Sequence, residues 1–190
     1  WVRMGHTSEC GMAINNDHRA FTGKEVTADK WVHVVMTYEG TSVTGGANDR
    51  RKLYFDGVLQ DTVETGNKDT ITNTATNLHI GGRGATYSFD GKLRDVRIYD
   101  KALSQDEITS LYSGTFNVTP KHRWNLDQGT WVSNNIYDTG TGTAVTGNAS
   151  GATYQNGTLD LDNTVTIATN GTLSAPRGTM QVTGASSGIN

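Results

Sequence analysis

With 190 residues, 34% of them hydrophobic and 18% charged, the chain can bury the core of one β-sandwich plus an appendage or part of a second, but not two complete sandwiches. Its 23 Gly, 2 Pro and surplus of Thr, Asn and Ser suit strands joined by many turns, so an all-β fold is expected. A net charge of -3, with Arg50-Arg51-Lys52 as its one basic cluster, argues against nucleic acid as a partner, and no apolar run approaches the roughly 20 residues that cross a bilayer, so no membrane is expected either.

In chain order, Cys10 comes first; as the one cysteine it cannot form an intramolecular disulfide and reads as a small buried apolar side chain. Residues 31 to 38 place Trp31, His33, Val35 and Thr37 on one face and Val32, Val34, Met36 and Tyr38 on the other. Neither face is uniformly polar, which predicts a strand covered on both sides. Gly40 to Asp49 follows as a polar, Gly-rich loop, mobile or ligand-facing. Asp56-Gly57 between Leu53-Tyr54-Phe55 and Val58-Leu59 predicts a type I′ hairpin, because both residues tolerate positive φ. Leu78-His79-Ile80 and the run from Phe89 to Tyr99 continue the strand pattern. Ser104 and Glu107 form a capping box, Leu103 and Ile108 a hydrophobic staple, and Gly114 a left-handed stop, so one short helix is predicted near 105–112. Trp1, Trp31, Tyr54, Phe55, Phe89 and Tyr99 are expected in the core or between strands.

The order of these segments from Trp31 to Gly114 resembles the second half of a laminin G-like domain, the concanavalin A-like jelly roll of lectins, pentraxins and some glucanases. The resemblance implies an antiparallel β-sandwich with the helix docked at its edge. Trp1-Val2-Arg3 resembles a mid-domain strand of the same modules, so residues 1–116 read as a sandwich lacking its opening strands, within an excerpt of a longer polypeptide. From residue 117 the pattern restarts, with His122-Arg123-Trp124-Asn125-Leu126-Asp127, Tyr137-Asp138-Thr139-Gly140 and Gly157-Thr158-Leu159-Asp160-Leu161-Asp162, similar to the opening of a laminin G-like module. Residues 117–190 either begin a second module or supply strands that complete the first, and they end in a Gly/Thr/Ser-rich tail expected to be loose from Gly184 onward.

Glycoside hydrolysis needs two carboxylates facing one sugar. The laminarinase and lichenase branch of the resembling fold carries them in a Glu-x-Asp-x-x-Glu strand, and here the five glutamates, Glu9, Glu25, Glu39, Glu64 and Glu107, are scattered. No catalytic residue is expected. The resemblance also implies structural Ca²⁺, for which the candidates are Asp138 and Asp90 in their Gly-containing loops and Asp95; where the resembling modules carry an acid two residues before the valine, this chain has Arg94. His33 and His79 read as strand residues rather than ligands. Sugar binding would use aromatic faces flanked by polar groups, which singles out Tyr87 with Arg83, and Trp131 with Asn134. The expected function is a non-catalytic recognition or adhesion module, binding a glycan or a surface protein, in an extracellular, cell-surface or virion-surface protein. A second reading is a structural spacer or decoration unit of a fibre, capsid or adhesin stalk that self-associates through its C-terminal segment; a divergent glycosidase is the remainder.

Overall fold

The computed structural model describes residues 2–4, 9–72, 77–83, 87–115, 118–126, 131–132, 134–149, 152–155, 158–161, 165–167 and 179–186, with the side chains of Arg3, Arg83, Tyr87, Ser88, Trp131, Val132 and everything beyond 149 left undescribed. In chain order it comprises β1 (Val2–Arg3), β2 (Gly11–Ile14), β3 (Asp17–Ala20), β4 (His33–Glu39), α1 (Thr41–Thr44), β5 (Asp49–Phe55), β6 (Val58–Gly66), β7 (Leu78–Ile80), β8 (Gly82–Arg83), β9 (Tyr87–Ser88), β10 (Gly91–Tyr99) and α2 (Gln105–Tyr112). Then follow β11 (His122–Trp124), β12 (Trp131–Val132), β13 (Asn135–Ile136), β14 (Gly147–Ala149), β15 (Ala152–Gln155), β16 (Thr158–Leu161), β17 (Val165–Ile167) and β18 (Thr179–Ser186).

The main sheet runs β15-β16-β10-β18-β4-β5-β6, with β11 added on β10, and a second sheet runs β12-β13-β14-β17-β7; the hairpins β1-β2-β3 and β8-β9 stand beside them. Every pairing among these strands is antiparallel. This is the all-β, antiparallel architecture that the alternation predicts.

The registers fix which side chains share a face. Val34 and Val96 both align with Val182, so they point to the same side of the main sheet. On that side Val34, Met36, Tyr38 and Leu53 pack against Cys10, Met12, Ile14 and Phe21, while Leu93 and Val96 pack against Ile80, Trp124, Leu126, Ile136, Val145 and Ala149. On the opposite side Val35, Tyr54 and Tyr99 are covered by Leu103, Ile108 and Leu111 of α2 and its lead-in. The strand at 33–39 is therefore buried on both faces, and Cys10 is fully buried, both as expected.

Two local devices set this up. Asp56 and Gly57 have φ of 50° and 79°, and Phe55 pairs directly with Val58, which is the predicted two-residue hairpin. At α2, the Ser104 side chain accepts from the Glu107 N–H while the Glu107 side chain accepts from the Ser104 N–H, and Gly114 has φ 83°, which is the predicted cap and stop.

Three expectations are corrected. Trp31 is 40% exposed rather than core, because it precedes the first paired residue of β4 and lies under the Arg94 guanidinium, 4.8 Å from its ring centroid. The segment 40–49 is not all loop: it holds α1 and ends in Asp49, fully buried as the first residue of β5. The tail is not loose from Gly184, since Gly184 to Ser186 belong to β18; residues 187–190 lie outside the described residues, as does Trp1. Tyr54, Tyr99, Phe55 and Phe89 pack as expected.

Candidate functional site

The α2-facing side of the main sheet is where polar groups collect. Pairing of Val35 with Tyr54, Thr37 with Lys52 and Glu39 with Arg50 lines up a polar row across β4 and β5, and Leu59 of β6 sits opposite Tyr54. The lead-in to α2 crosses above this row. Between them opens a cleft of about 700 Å³, lined by Glu39, Lys52, Tyr54, Leu59, the segment 101–105 and Glu107. Its size falls within the usual range for small-molecule sites.

The charges in the cleft are matched. Glu39 accepts from Arg50 Nη1 at 3.3 Å and lies 4.0 Å from Lys52 Nζ. Glu107 is bound by the Lys101 ammonium and accepts from the Ser104 N–H at 2.9 Å. Burial alone would raise the Glu107 carboxyl, but the Lys101 and Ser104 hydrogen bonds hold it below the usual range. The Tyr54 hydroxyl is pushed up by burial and by Glu39, so it stays protonated and can donate. Leu59, 45% exposed, contributes an apolar wall. The arrangement offers paired charges, a phenol and an aliphatic surface, which suits a polar, uncharged ligand. Glu107, shifted downward, is not a carboxylic acid kept neutral for proton transfer.

Beside the C-terminal residue of α2 lies a second polar group. His33 is buried and stacks on Tyr112, with ring centroids 5.7 Å apart. Burial, reinforced by the Arg97 charge, lowers its pKa to about 4 against the opposing pull of Asp56 and Asp95. Asp95 has φ 53° and is the extra residue at the second of two register shifts in β10, between Arg94 and Val96, and its N–H donates to the Asn125 carbonyl at 3.1 Å. The extra residue lets Leu93 and Val96 share the core face while Asp95 turns toward two guanidiniums. Its Oδ1 accepts from Arg97 Nε and from Arg123 Nε, each at 2.8 Å. Burial would raise this carboxyl, but Arg97 and Arg123 hold it below the ordinary range.

The sequence-predicted calcium candidates are not assembled. Asp138 Oδ1 accepts from the N–H groups of Arg123 and Gly140, each at 2.8 Å, and its Oδ2 meets His122 Nδ1 at 2.6 Å and the Val145 N–H at 3.2 Å. Burial would raise the Asp138 carboxyl, yet these partners, His122 first, lower it. Asp90 is exposed immediately before β10. Asp138 and Asp95 thus face N–H donors and cations, a donor set that does not fit Ca²⁺, and among the described residues no group of three His, Cys, Asp or Glu is placed to hold a metal.

Of the sugar-binding candidates, Arg83 pairs with Tyr87 across the β8-β9 hairpin and Trp131 with Ile136 in the second sheet, while all three side chains lie outside the described residues. Asn134 is exposed. Asn134 is not among the described residues that line the cleft. The cleft residues were missed because Glu39 and Lys52 meet only through the β4-β5 register, which the intervening 40–48 segment leaves unset in the sequence. The signal that could have found them is the polar alternation Thr37, Glu39 continued onto Arg50, Lys52, Tyr54.

Residues 4–109, more than half of the chain, match the laminin G family model described as the concanavalin A-like lectin/glucanases superfamily. The chain belongs to that family. Two apposed antiparallel sheets with α2 across the outer face are the architecture of a laminin G-like β-sandwich, here seen together with its neighbouring strands β11 to β18. No curated protein and no solved structure matches the chain.

Proposed function

We propose that this laminin G-like chain is a non-catalytic recognition module that takes a neutral glycan into the cleft between β4-β5-β6 and α2. The observation that carries the reading is charge matching: both cleft carboxylates are neutralised by lysine or arginine, and Glu107 is held in its ionised form. Such a site desolvates no lone charge when an uncharged polyol enters, and its ionised Glu107 does not supply the neutral acid that glycoside hydrolysis requires. The Tyr54 hydroxyl and Lys52 ammonium supply donors, and Leu59 supplies the apolar wall against which a sugar ring can rest. A module of this kind belongs in an extracellular, cell-surface or virion-surface protein, where its ligand is a surface glycan.

A glycan array probed with the purified chain tests this, followed by titration of any hit against Lys52→Ala and Leu59→Ala. Each substitution is expected to weaken binding about tenfold, roughly 1.4 kcal/mol, with unchanged circular dichroism. Binding that survives both substitutions and is lost in Tyr87→Ala or Trp131→Ala would move the site to those strands. Release of reducing sugar from β-glucans would overturn the non-catalytic reading.

A further inference from the structure

The main sheet is continuous only because a late strand joins its halves. β4 and β10 do not pair with each other; Thr179–Thr183 pairs with Thr37–His33 on one side, and Thr179–Ser186 pairs with Tyr99–Lys92 on the other. On the far edge of β10, β16 takes Gly91–Leu93 and β11 takes Val96–Ile98. In the second sheet β17 closes on β7, which among the described strands is that sheet's sole member from before α2. One core is likewise built from both sides of the chain: Ile80, Leu93 and Val96 from before α2, and Trp124, Leu126, Ile136, Val145 and Ala149 from after it.

A single connection links the two parts. Nine residues separate Tyr112, the end of α2, from His122, the start of β11. Ser113, Gly114, Thr115 and Thr119 in it are exposed, and fully extended it spans ~30 Å.

From this we infer that residues 118–186 form an exchangeable strand set, and that the slot between β4 and β10 accepts the same segment from a second copy of this chain. The partner is another copy because its segment reproduces each backbone pairing and each core contact of the intrachain arrangement. Once those contacts are equal, the balance between the closed monomer and the exchanged dimer is set by the effective concentration that the nine-residue connection imposes. The inference is independent of the cleft.

Paired cysteines at Lys92 and Asp160, register partners in β10 and β16, test it in the full chain with Cys10→Ala. The double variant Lys92→Cys/Asp160→Cys, refolded dilute and oxidised, is expected to give an intrachain disulfide and run as a monomer. Lys92→Cys and Asp160→Cys single variants, unfolded together and refolded at high protein concentration, are expected to give a disulfide-linked heterodimer, and a Lys92→Cys with Thr62→Cys mixture is not, because Thr62 lies in β6, outside the exchanged segment. The unsubstituted chain, refolded across the same concentrations and sized by light scattering, is expected to show a rising dimer fraction. An intrachain crosslink in the double variant with no heterodimer, or a light-scattering mass that stays monomeric throughout, overturns the inference. Failure of the double variant to crosslink overturns the register on which it stands.

Discussion

Two side chains show how burial sets the behaviour of single residues in this fold. His33 is 5% exposed and stays neutral down to about pH 4, whereas in the unfolded chain it takes a proton near pH 6.5. The unfolded state therefore binds more protons between those values, and stability falls as pH drops from 6.5 to 4, by at most about 1.4 kcal/mol per pH unit. Asp95 and Asp138, with depressed carboxyls, contribute stability that is present above the ordinary carboxylate range and lost only as pH falls below it. The two windows separate, so His33→Phe, which keeps a ring against Tyr112, is expected to flatten the urea midpoint between pH 6.5 and 5 and leave the loss below pH 4 in place.

Arg51 is the second case. Fully buried under the β2-β3 hairpin, it donates to both Asp49 oxygens at 2.9 and 3.0 Å, to the Met12 and Asp17 carbonyls at 3.0 and 2.7 Å, and to Asp17 Oδ2 at 2.6 Å. Asp49 also accepts the Lys68 N–H at 2.9 Å. Arg51→Met leaves Asp49 buried without its cation, so an unfolding free energy lower by about 3–5 kcal/mol is expected in urea titration. The sequence presents this residue as part of a surface-like basic run, and nothing in Arg50-Arg51-Lys52 distinguishes the middle member except its place in the alternation.

At the scale of elements, the parts specified by contiguous residues are the ones legible in the sequence. The hairpin depends on two backbone conformations, and the capping box on two side chains three residues apart. Gly57→Ala forces a Cβ into a left-handed position 3.3 Å from the Tyr112 Cβ, and a loss of about 1–2 kcal/mol is expected in thermal melts. Ser104→Ala removes the acceptor for the Glu107 N–H, for a loss of about 1 kcal/mol. The β10 bulge was not legible. A strand read with strict period two puts Leu93 and Asp95 on one face, and only the match of Val96 to Trp124 and Val182, with Asp95 clamped by Arg97 and Arg123, reveals the inserted residue.

For the whole molecule, stability is shared across the α2 boundary. Trp124 is fully buried and donates from Nε1 to the Val145 carbonyl at 3.0 Å, in a core with Leu93 and Val96. Trp124→Ala is expected to lower the unfolding free energy by about 3–5 kcal/mol. Because residues from both sides of α2 meet there, the loss should appear as one shifted transition for fluorescence and circular dichroism alike; two separated transitions would mean that the parts unfold independently.

The alternation, the Asp56-Gly57 turn and the Ser104 cap determined the all-β class, the hairpin and the helix from the amino-acid order alone, since each rests on neighbours within a few residues. The cleft, the buried Arg51 and the joining of β4 to β10 through β18 were decided by tertiary structure. Each depends on which distant strands lie side by side and in what register, and local preference is nearly silent about pairings whose free energy comes from burial shared between segments far apart in the chain.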